Sequence, residues 1–255
     1  MKTVAMALIQ VRYVNKAFWR NPASAFFTFA FPLMFLVIFT SLLGHGIVEV
    51  GGHLVHQSTY YVGSMASFAV ISACYTSIAI GVTIQRDAGI LKRTDGTPLP
   101  ASAYLGARVL HALLIAVLLV VITATFGRVL YGADLPTGMA LARFVVMLCV
   151  GAASFSALGF AVTALIPNAD ASPAIVNASI LPLLFLSGIF IPLGDKAPAW
   201  ILWIARVFPV KHFAEGMQAG FLGTTFYWSD VAVVAAWGVG GLVLAARYFT
   251  WQPRK

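Results

Sequence analysis

A short charged segment, RDAGILKRTDGTPLP at residues 86–100, separates two long apolar runs of this sequence. Residues 50–85 before it contain no Lys, Arg, Asp or Glu, and residues 109–127 after it contain none either. A helix needs about 20 apolar residues to cross a bilayer, and each run can supply them. The charged segment must therefore lie in water at one face of a membrane, where it joins two spans.

The composition excludes a soluble protein. Of 255 residues, 60% are hydrophobic and 9% are charged, whereas about 25% are charged in an ordinary globular domain. The net charge of +8 would suggest nucleic acid as the partner of a soluble chain. Here most basic residues flank apolar spans, so membrane lipids are the better explanation and no nucleic-acid partner is expected. Cys74 and Cys149 lie within apolar runs, which favours buried thiols over a disulfide or a metal site.

The N-terminal segment, residues 3–20, has the pattern of an amphipathic helix in the membrane interface. Arg12, Lys16 and Arg20 recur at i, i+4 and i+8, so they form one basic stripe. Such a stripe suits anionic headgroups, with the apolar side toward the lipid. Packing of this helix on other spans is the alternative interpretation.

Six further segments predict membrane spans. They cover about residues 23–43, 59–84, 103–127, 140–166, 172–191 and 230–250. The predicted fold is an all-α polytopic membrane protein, a single transmembrane domain over residues 1–255. The loop after the first span contains His45, His53 and His56, but they lack the helical i, i+4 spacing and second-shell acids of a metal site, so a plain loop is predicted.

Residues 192–222 differ from the spans. Pro198 and Pro209 divide this stretch into pieces of about 10–13 residues, and a helix of that length is too short to cross a 30 Å apolar core. A re-entrant pair of half-helices on the outer side accounts for the proline breaks and the charges together. Trp200 and Trp203 would anchor the pair at headgroup level.

The distribution of basic residues predicts the orientation, because short cytoplasmic segments carry an excess of Lys and Arg. Six spans place both termini on one side. That side holds eleven of the sixteen Lys and Arg residues: Lys2, Arg12, Lys16, Arg20, Arg86, Lys92, Arg93, Arg108, Arg247, Arg254 and Lys255. We therefore predict cytoplasmic termini, a cytoplasmic 86–100 segment and an outward-facing 192–222 region.

No sequence motif for catalysis is present. The chain lacks GxxxxGK[ST], HExxH and GxSxG, and Gly194-Asp195-Lys196 has the wrong spacing for a P-loop. The predicted spans carry no deep acidic residue for a proton relay, and His111 is predicted to be a neutral packing residue whose hydrogen bonds are satisfied. The chain is therefore not predicted to be an enzyme. It either conducts passively or takes energy from a partner; a scaffold or channel regulated by a soluble protein and, less well supported, an intramembrane hydrolase remain alternatives.

The charged segment predicts how such a partner could bind. Taken as one helix over residues 86–97, it has one face formed by Asp87, Ile90, Leu91 and Thr94. The other side carries Arg86, Lys92 and Arg93. A two-faced helix with Ile90 and Leu91 as a small apolar knob suits a groove on a soluble protein. A basic inter-span loop without a partner is the alternative.

At this point the residues resemble a known family. The stretch RDAGILKRTDGTPLPASAYLGARVL resembles the first cytoplasmic loop of ABC type-2 export permeases, particularly the drug- and antibiotic-resistance branch. FLSGIFIPL at the end of the fifth span, followed by Pro198-Ala199-Trp200 and Phe208-Pro209, is similar to the same family's signature before its outer half-helices. Asp87 departs from the Glu that is frequent in the family.

The resemblance implies a half-transporter in a bacterial plasma membrane that exports hydrophobic drugs, lipids or lipid-linked glycans. Two permeases, identical or homologous, would assemble with two copies of an ATP-binding subunit, which would hold ATP and Mg²⁺; this chain itself would bind no cofactor. The 86–97 helix would couple to the ATPase through the seven residues named above, Arg86 to Thr94.

The resemblance also implies a substrate route between the two permeases and an outer gate. The residues nominated for the route are Ser72, Thr76, Asn177 and Ser187, although close helix packing would also explain their small polar side chains. Those nominated for the gate are Trp200, Trp203, Arg206, Lys211 and His212. Arg206 and Lys211 could instead extend to the outer headgroups.

Overall fold

The computed structural model describes residues 2–43, 46–50, 53–192 and 198–253. Its elements in chain order are α1 Lys2–Trp19, α2 Pro22–Leu43, β1 Ile47–Val50, β2 His53–His56, α3 Gln57–Ile71, a π-helical segment Ser72–Thr76, α4 Ser77–Asp87, α5 Ile90–Asp95, α6 Ala101–Tyr131, α7 Gly138–Val162, α8 Ser172–Leu186, α9 Ala199–Val207, α10 Pro209–Leu222 and α11 Trp228–Tyr248. His45, the side chain of His53, Gly194-Asp195-Lys196 and Arg254-Lys255, which entered the sequence predictions, lie outside the described residues.

Five of the described helices are long and apolar enough to cross a membrane. They are α2, the continuous segment Gln57–Asp87, α6, α7 and α11. The predicted fifth span is represented by α8, a shorter apolar helix of 15 residues. It ends before Gly188, whose φ of +81° leaves the helical region. The predicted all-α polytopic membrane fold is confirmed.

The core is built around α3. Every residue of α3 from Ser58 to Ile71 is buried, since α2, α6 and α10 pack around it. Polar ties cross this core: the Gln218 amide donates to Ser64 Oγ at 2.7 Å, and the Tyr60 hydroxyl donates to the Gly188 carbonyl. These bonds fix α10 and the end of α8 against the central helix.

The π-helical segment Ser72–Thr76 joins α3 to α4 without a break in the span. Such a segment widens the helix locally. Gly159 of α7 makes the close approach possible here, because a Cβ at that position would lie 2.9 Å from the Tyr75 carbonyl oxygen. On another side, the Tyr75 hydroxyl lies 2.6 Å from Ser179 Oγ of α8. The segment therefore contacts two neighbouring helices at once.

A β-hairpin replaces the predicted plain loop after the first span. Its register pairs Val48 with Val55 and Val50 with His53. The sequence Gly51-Gly52, between Val50 and His53, is a signal for a two-residue hairpin connection that the loop prediction overlooked. The plain-loop prediction was wrong.

The N-terminal helix α1 packs along α6, as the alternative interpretation required, and it also keeps its basic stripe exposed. Ala7 is buried, and Val11, Val14 and Phe18 are half-buried at helical spacing. Arg12, Lys16 and Arg20 remain exposed. The helix thus has a packed side and a charged side, and Val4 and Leu8 are exposed beside them.

The two short helices of the 192–222 region differ in burial. They meet at Phe208-Pro209, as the proline position predicted. Ala205 is the one buried residue of α9, whereas α10 places Phe213, Met217 and Phe221 in the core. The second helix is therefore a structural part of the bundle and the first lies at its surface.

Candidate coupling surface and lateral cleft

The predicted coupling segment consists of two helices rather than one. α4 ends at Asp87, and α5 begins at Ile90 after a turn. The turn requires Gly89, whose φ is +69°, a region that L-residues with a Cβ avoid. A Cβ there would meet no atom within 4 Å, so conformation and not crowding selects glycine. The prediction of one helix over 86–97 was wrong, because Gly89 redirects the chain.

The redirection separates Ile90 from Leu91. Ile90 is 44% exposed, whereas Leu91 is fully buried in the core cluster. The prediction that both form one exposed apolar knob was wrong for Leu91. Lys92 and Arg93 are exposed and Thr94 is half-buried. The surface that remains accessible on α5 contains Ile90, the basic Lys92 and Arg93, and the acidic Asp95.

A shallow groove of about 600 Å³ lies between α5 and α1. It is lined by Gln10, Ile90, Arg93, Thr94, Thr97 and Leu99. Arg93 donates back to the carbonyls of Ala88 and Gly89, which fixes α5 on its turn. Among the described residues, Arg93 is the one charged side chain that lines the groove. The apolar Ile90 and Leu99 with polar side chains around them are suited to docking a soluble protein.

Arg86 and Asp87 point into the protein and are not part of this groove. Arg86 is only 2% exposed and donates to the carbonyls of Thr163 and Ile166 at 3.0 and 2.7 Å. Asp87 accepts a hydrogen bond from the Ala169 amide. In this structure Arg86 is buried and the Asp87 carboxylate binds an internal amide, so their predicted contact with an ATPase stays a prediction.

Three of the four residues nominated for a substrate route line one cleft. The cleft has a volume of about 750 Å³ and lies among α1, α2, the π-helical segment, α4, α6 and α8. Ser72, Thr76 and Asn177 all line it. Ser187 is not among its lining residues; it is buried just past the end of α8 and donates to the Leu184 carbonyl of that helix. The cleft walls are mainly apolar, with Phe18, Phe31, Phe68 and Ile115 among them.

The cleft also contains a polar cluster that the sequence did not nominate. Gln85 accepts hydrogen bonds from Arg108 and, at 2.8 Å, from the Tyr104 hydroxyl. His111, one turn farther along α6, lines the cleft and contacts the Phe18 ring. The contact with Phe18 agrees with the predicted packing role, but Nε2 has no hydrogen-bond partner among the described residues, in contrast to the satisfied side chain that was predicted. The i, i+4 pair Tyr104 and Arg108 was the sequence signal for this cluster.

The residues nominated for an outer gate divide into an exposed group and a bonded group. Trp200 and Trp203 of α9 are 62% and 73% exposed, and Arg206 is exposed beside them. Lys211 pairs with Glu215 at 2.6 Å. His212 places Nδ1 2.7 Å from Asp230 Oδ1 of α11 and Nε2 2.8 Å from the Arg206 carbonyl.

His212, Glu215 and Asp230 have potential metal-ligand atoms within 4.8 Å of one another. However, both ring nitrogens of His212 are engaged by protein atoms and Glu215 is engaged by Lys211. The arrangement is therefore better suited to joining α9, α10 and α11 than to holding an ion.

This junction should weaken as the pH rises. The hydrogen bond with Asp230 raises the pKa of His212 above its ordinary 6.5, although partial burial opposes the shift. Only the protonated imidazolium can donate hydrogen bonds from both ring nitrogens. The stabilisation of the folded protein by protonated His212 is therefore complete below pH 6.5 and is lost as the pH rises through the raised pKa. We expect His212→Gln to cost about 1–2 kcal/mol at acidic pH and progressively less at alkaline pH.

Thermal unfolding of the purified protein across pH tests this, with the exposed His56 changed to Gln as the control. A stability difference between wild type and His212→Gln that does not change with pH would contradict the proposed protonation.

The fold and these sites together define a membrane protein with a surface suited to a soluble partner and an apolar cleft within its spans. Residues 7–222 match the ABC-2 type transporter family. The chain is similar to the inner membrane transport permease YadH of Escherichia coli strain K12, at 24% identity over 84% of this chain and 80% of YadH. It is also similar to the daunorubicin resistance ABC transporter permease protein DrrB1 of Streptomyces coeruleorubidus, at 26% identity over 93% and 82% of the two chains, and to the putative transport permease ycf38 of Porphyra purpurea, at 25% identity over 91% and 78%.

This chain belongs to the ABC-2 type transporter family, which confirms the resemblance drawn from its sequence. It is the transmembrane subunit of an ABC exporter and a multi-pass inner-membrane protein. Members of this family are permease subunits rather than enzymes, and family membership implies an ATP-binding subunit as the partner.

Proposed function

We propose that this permease exports hydrophobic or amphiphilic molecules, such as drugs, lipids or lipid-linked glycans, with energy from an ATP-binding subunit that docks on α5. The observation that carries this proposal is the continuous span Gln57–Asp87. This span lines the cleft with Ser72 and Thr76 and ends shortly before α5 begins at Ile90. A displacement of α5 therefore reaches the cleft-lining span across the short turn at Gly89.

The cleft supports the substrate class. Its aromatic and aliphatic walls favour apolar groups, whereas Ser72, Thr76, Asn177 and Arg108 provide a few polar contacts. Such a combination is typical of sites that bind amphiphilic small molecules. The cleft-lining Phe31 and Leu181 remain more than one-third exposed, so a second permease or a lipid would complete the enclosure.

The proposed assembly contains two permeases, identical or homologous, and two ATP-binding subunits, which hold ATP and Mg²⁺. Both termini and α5 lie on the cytoplasmic side, where the basic stripe of α1 meets anionic headgroups. Trp200 and Trp203 of α9 form the exposed edge of an outer gate, and Arg206, Lys211 and His212 hold its base. The exposure of the two tryptophans and the internal bonds of Lys211 and His212 support this division.

We expect Ile90→Asp to reduce co-purification of the ATP-binding subunit by about tenfold or more, because a carboxylate at the apolar centre of a docking surface removes a principal contact. The permease itself should remain folded, since Ile90 is already 44% exposed. Affinity purification of tagged permease co-expressed with its ATP-binding subunit measures the effect.

The matched control is Met139→Asp, which changes another exposed apolar side chain to a carboxylate in the first turn of α7, far along the chain. Transport of daunorubicin into inverted proteoliposomes, a probe chosen because DrrB1 is a daunorubicin resistance permease, should fall with Ile90→Asp and persist with the control. Undiminished co-purification with Ile90→Asp would refute docking on α5.

A further inference from the structure

Arg86 is a buried cation that binds backbone carbonyls in a distant part of the chain. Its side chain is 2% exposed, although burying a charge is costly unless the group is well bonded. The guanidinium donates to the carbonyls of Thr163, Ile166 and Pro167 at 3.0, 2.7 and 3.3 Å. Thr163 caps the C-terminal end of α7, and Ile166 and Pro167 follow it in the connector to α8. The helix dipole favours a cation at this end.

Asp87 binds the same connector from the next position. Its Oδ2 accepts the backbone N–H of Ala169, and its Oδ1 lies 3.5 Å from Arg86 Nε. Arg86 and Asp87 therefore engage carbonyls and an amide of residues 163–169 with complementary groups. This connector leads into α8, which begins at Ser172.

α8 carries this contact back to the cleft. Its Asn177 lines the cleft, and its Ser179 lies 2.6 Å from the Tyr75 hydroxyl of the π-helical segment. On the other side of Asp87, the buried Leu91 and the bonds from Arg93 to the turn hold α5 against the end of α4. One continuous set of contacts thus joins the docking surface, the connector and the wall of the cleft.

We propose that Arg86 and Asp87 are positioning residues that fasten the end of α4 to the α7–α8 connector, so that displacement of α5 moves α8 at the cleft. The inference rests on the proposed docking of an ATP-binding subunit on α5. Two groups of opposite charge suit this role because each satisfies connector atoms of the opposite polarity. The pair transmits movement and does not contact the ATPase or the transported molecule.

The experiment follows the labelling of a cysteine on α8 in the complete complex. Asn177→Cys is introduced with Cys74→Ala and Cys149→Ala, and its reaction with a maleimide is timed without nucleotide and with vanadate-trapped ATP. We expect trapping to change the labelling rate by about tenfold, within the range of coupling between distant sites. Asp87→Ala should reduce that change to about twofold or less, while the ATP-binding subunit still co-purifies.

Conservative changes provide the matched controls. Asp87→Asn keeps a carbonyl acceptor for the Ala169 amide and should retain most of the nucleotide-dependent change in labelling. Arg86→Gln should abolish that change. Arg86→Lys keeps the positive charge but has fewer hydrogen-bond donors, so it should retain part of the change. If the Arg86 variants fail to fold, the comparison of Asp87→Ala with Asp87→Asn still tests the proposal. Asp87 is 22% exposed, and its replacement leaves the buried Arg86 with its carbonyl partners.

The positioning role would be overturned if the cysteine introduced at position 177 kept its full nucleotide-dependent labelling in the Asp87→Ala variant while the complex stayed intact. That result would leave docking on α5 unaffected. Failure of the wild-type chain to bind an ATP-binding subunit would instead refute the proposed function. Hydrogen exchange at residues 163–171 gives a second readout, since loss of the Asp87 acceptor should accelerate exchange of the Ala169 amide.

Discussion

Replacing Gly241 with valine is expected to disrupt the packing of α11 on α7, whereas the same change at Gly240 should have little effect. A Cβ at Gly241 would lie 2.9 Å from the Leu158 amide nitrogen and 3.1 Å from the Ala157 carbonyl carbon. Both are backbone atoms, so no side-chain rotation can relieve the contact. A Cβ at Gly240 would meet nothing within 4 Å.

The expected cost at Gly241 is about 1–3 kcal/mol or more, the range for overpacking in a well-packed interior. Small residues let transmembrane helices approach closely, and Gly238 makes a similar approach to Ser154 one turn earlier. Because both substitutions replace Gly by Val in one helix, their intrinsic helix propensities cancel in the comparison.

Thermal unfolding in detergent, followed by the loss of the monodisperse peak in size-exclusion chromatography, measures the difference. Gly241→Val should show a lower yield and a lower midpoint than Gly240→Val. Equal midpoints would mean that α7 and α11 pack less closely than the structure indicates.

Leu91→Asp is expected to remove both the folded coupling segment and the binding of an ATP-binding subunit. Leu91 is fully buried, so an aspartate there would lose the apolar contacts and place an unpaired charge in the interior. Removing a buried leucine side chain alone costs about 2–5 kcal/mol, and a buried carboxylate adds to that cost.

Limited proteolysis of the 86–100 segment, together with co-purification, separates this effect from the one at Ile90. Leu91→Asp should increase cleavage and abolish binding, whereas Ile90→Asp should weaken binding without increasing cleavage. Leu91→Met, which conserves volume, should preserve both properties. Resistance of Leu91→Asp to proteolysis equal to that of the wild type would contradict the burial of this side chain.

The difference between Ile90 and Leu91 illustrates where sequence reasoning ended. On one continuous helix the two residues share a face, and their apolar character gives no reason to separate them. The left-handed conformation of Gly89 rotates α5 relative to α4, and the surrounding core then covers Leu91 alone. A glycine in a polar segment signals a turn, but its φ depends on the tertiary contacts on both sides.

The internal contacts of Arg86 and Asp87 could not be predicted from the sequence for a similar reason. Their partners, the carbonyl of Thr163 and the amide of Ala169, are backbone groups about 80 positions away. Backbone groups have no sequence signature, so no pattern of residue types could have paired them with Arg86 and Asp87. The cleft was partly predictable, because the family resemblance implied Ser72, Thr76 and Asn177 as route residues and all three line it. Ser187 does not line it, and it lies beyond the end of α8 at Leu186.

The sequence by itself determined the membrane class, the positions of the apolar helices and the family, because hydrophobic length and local motifs are properties of consecutive residues. Only the tertiary structure decided which side chains of the charged segment 86–100 are exposed and which bind the rest of the chain. That decision depends on a glycine turn, on burial and on distant backbone groups, which arise only when the helices pack together.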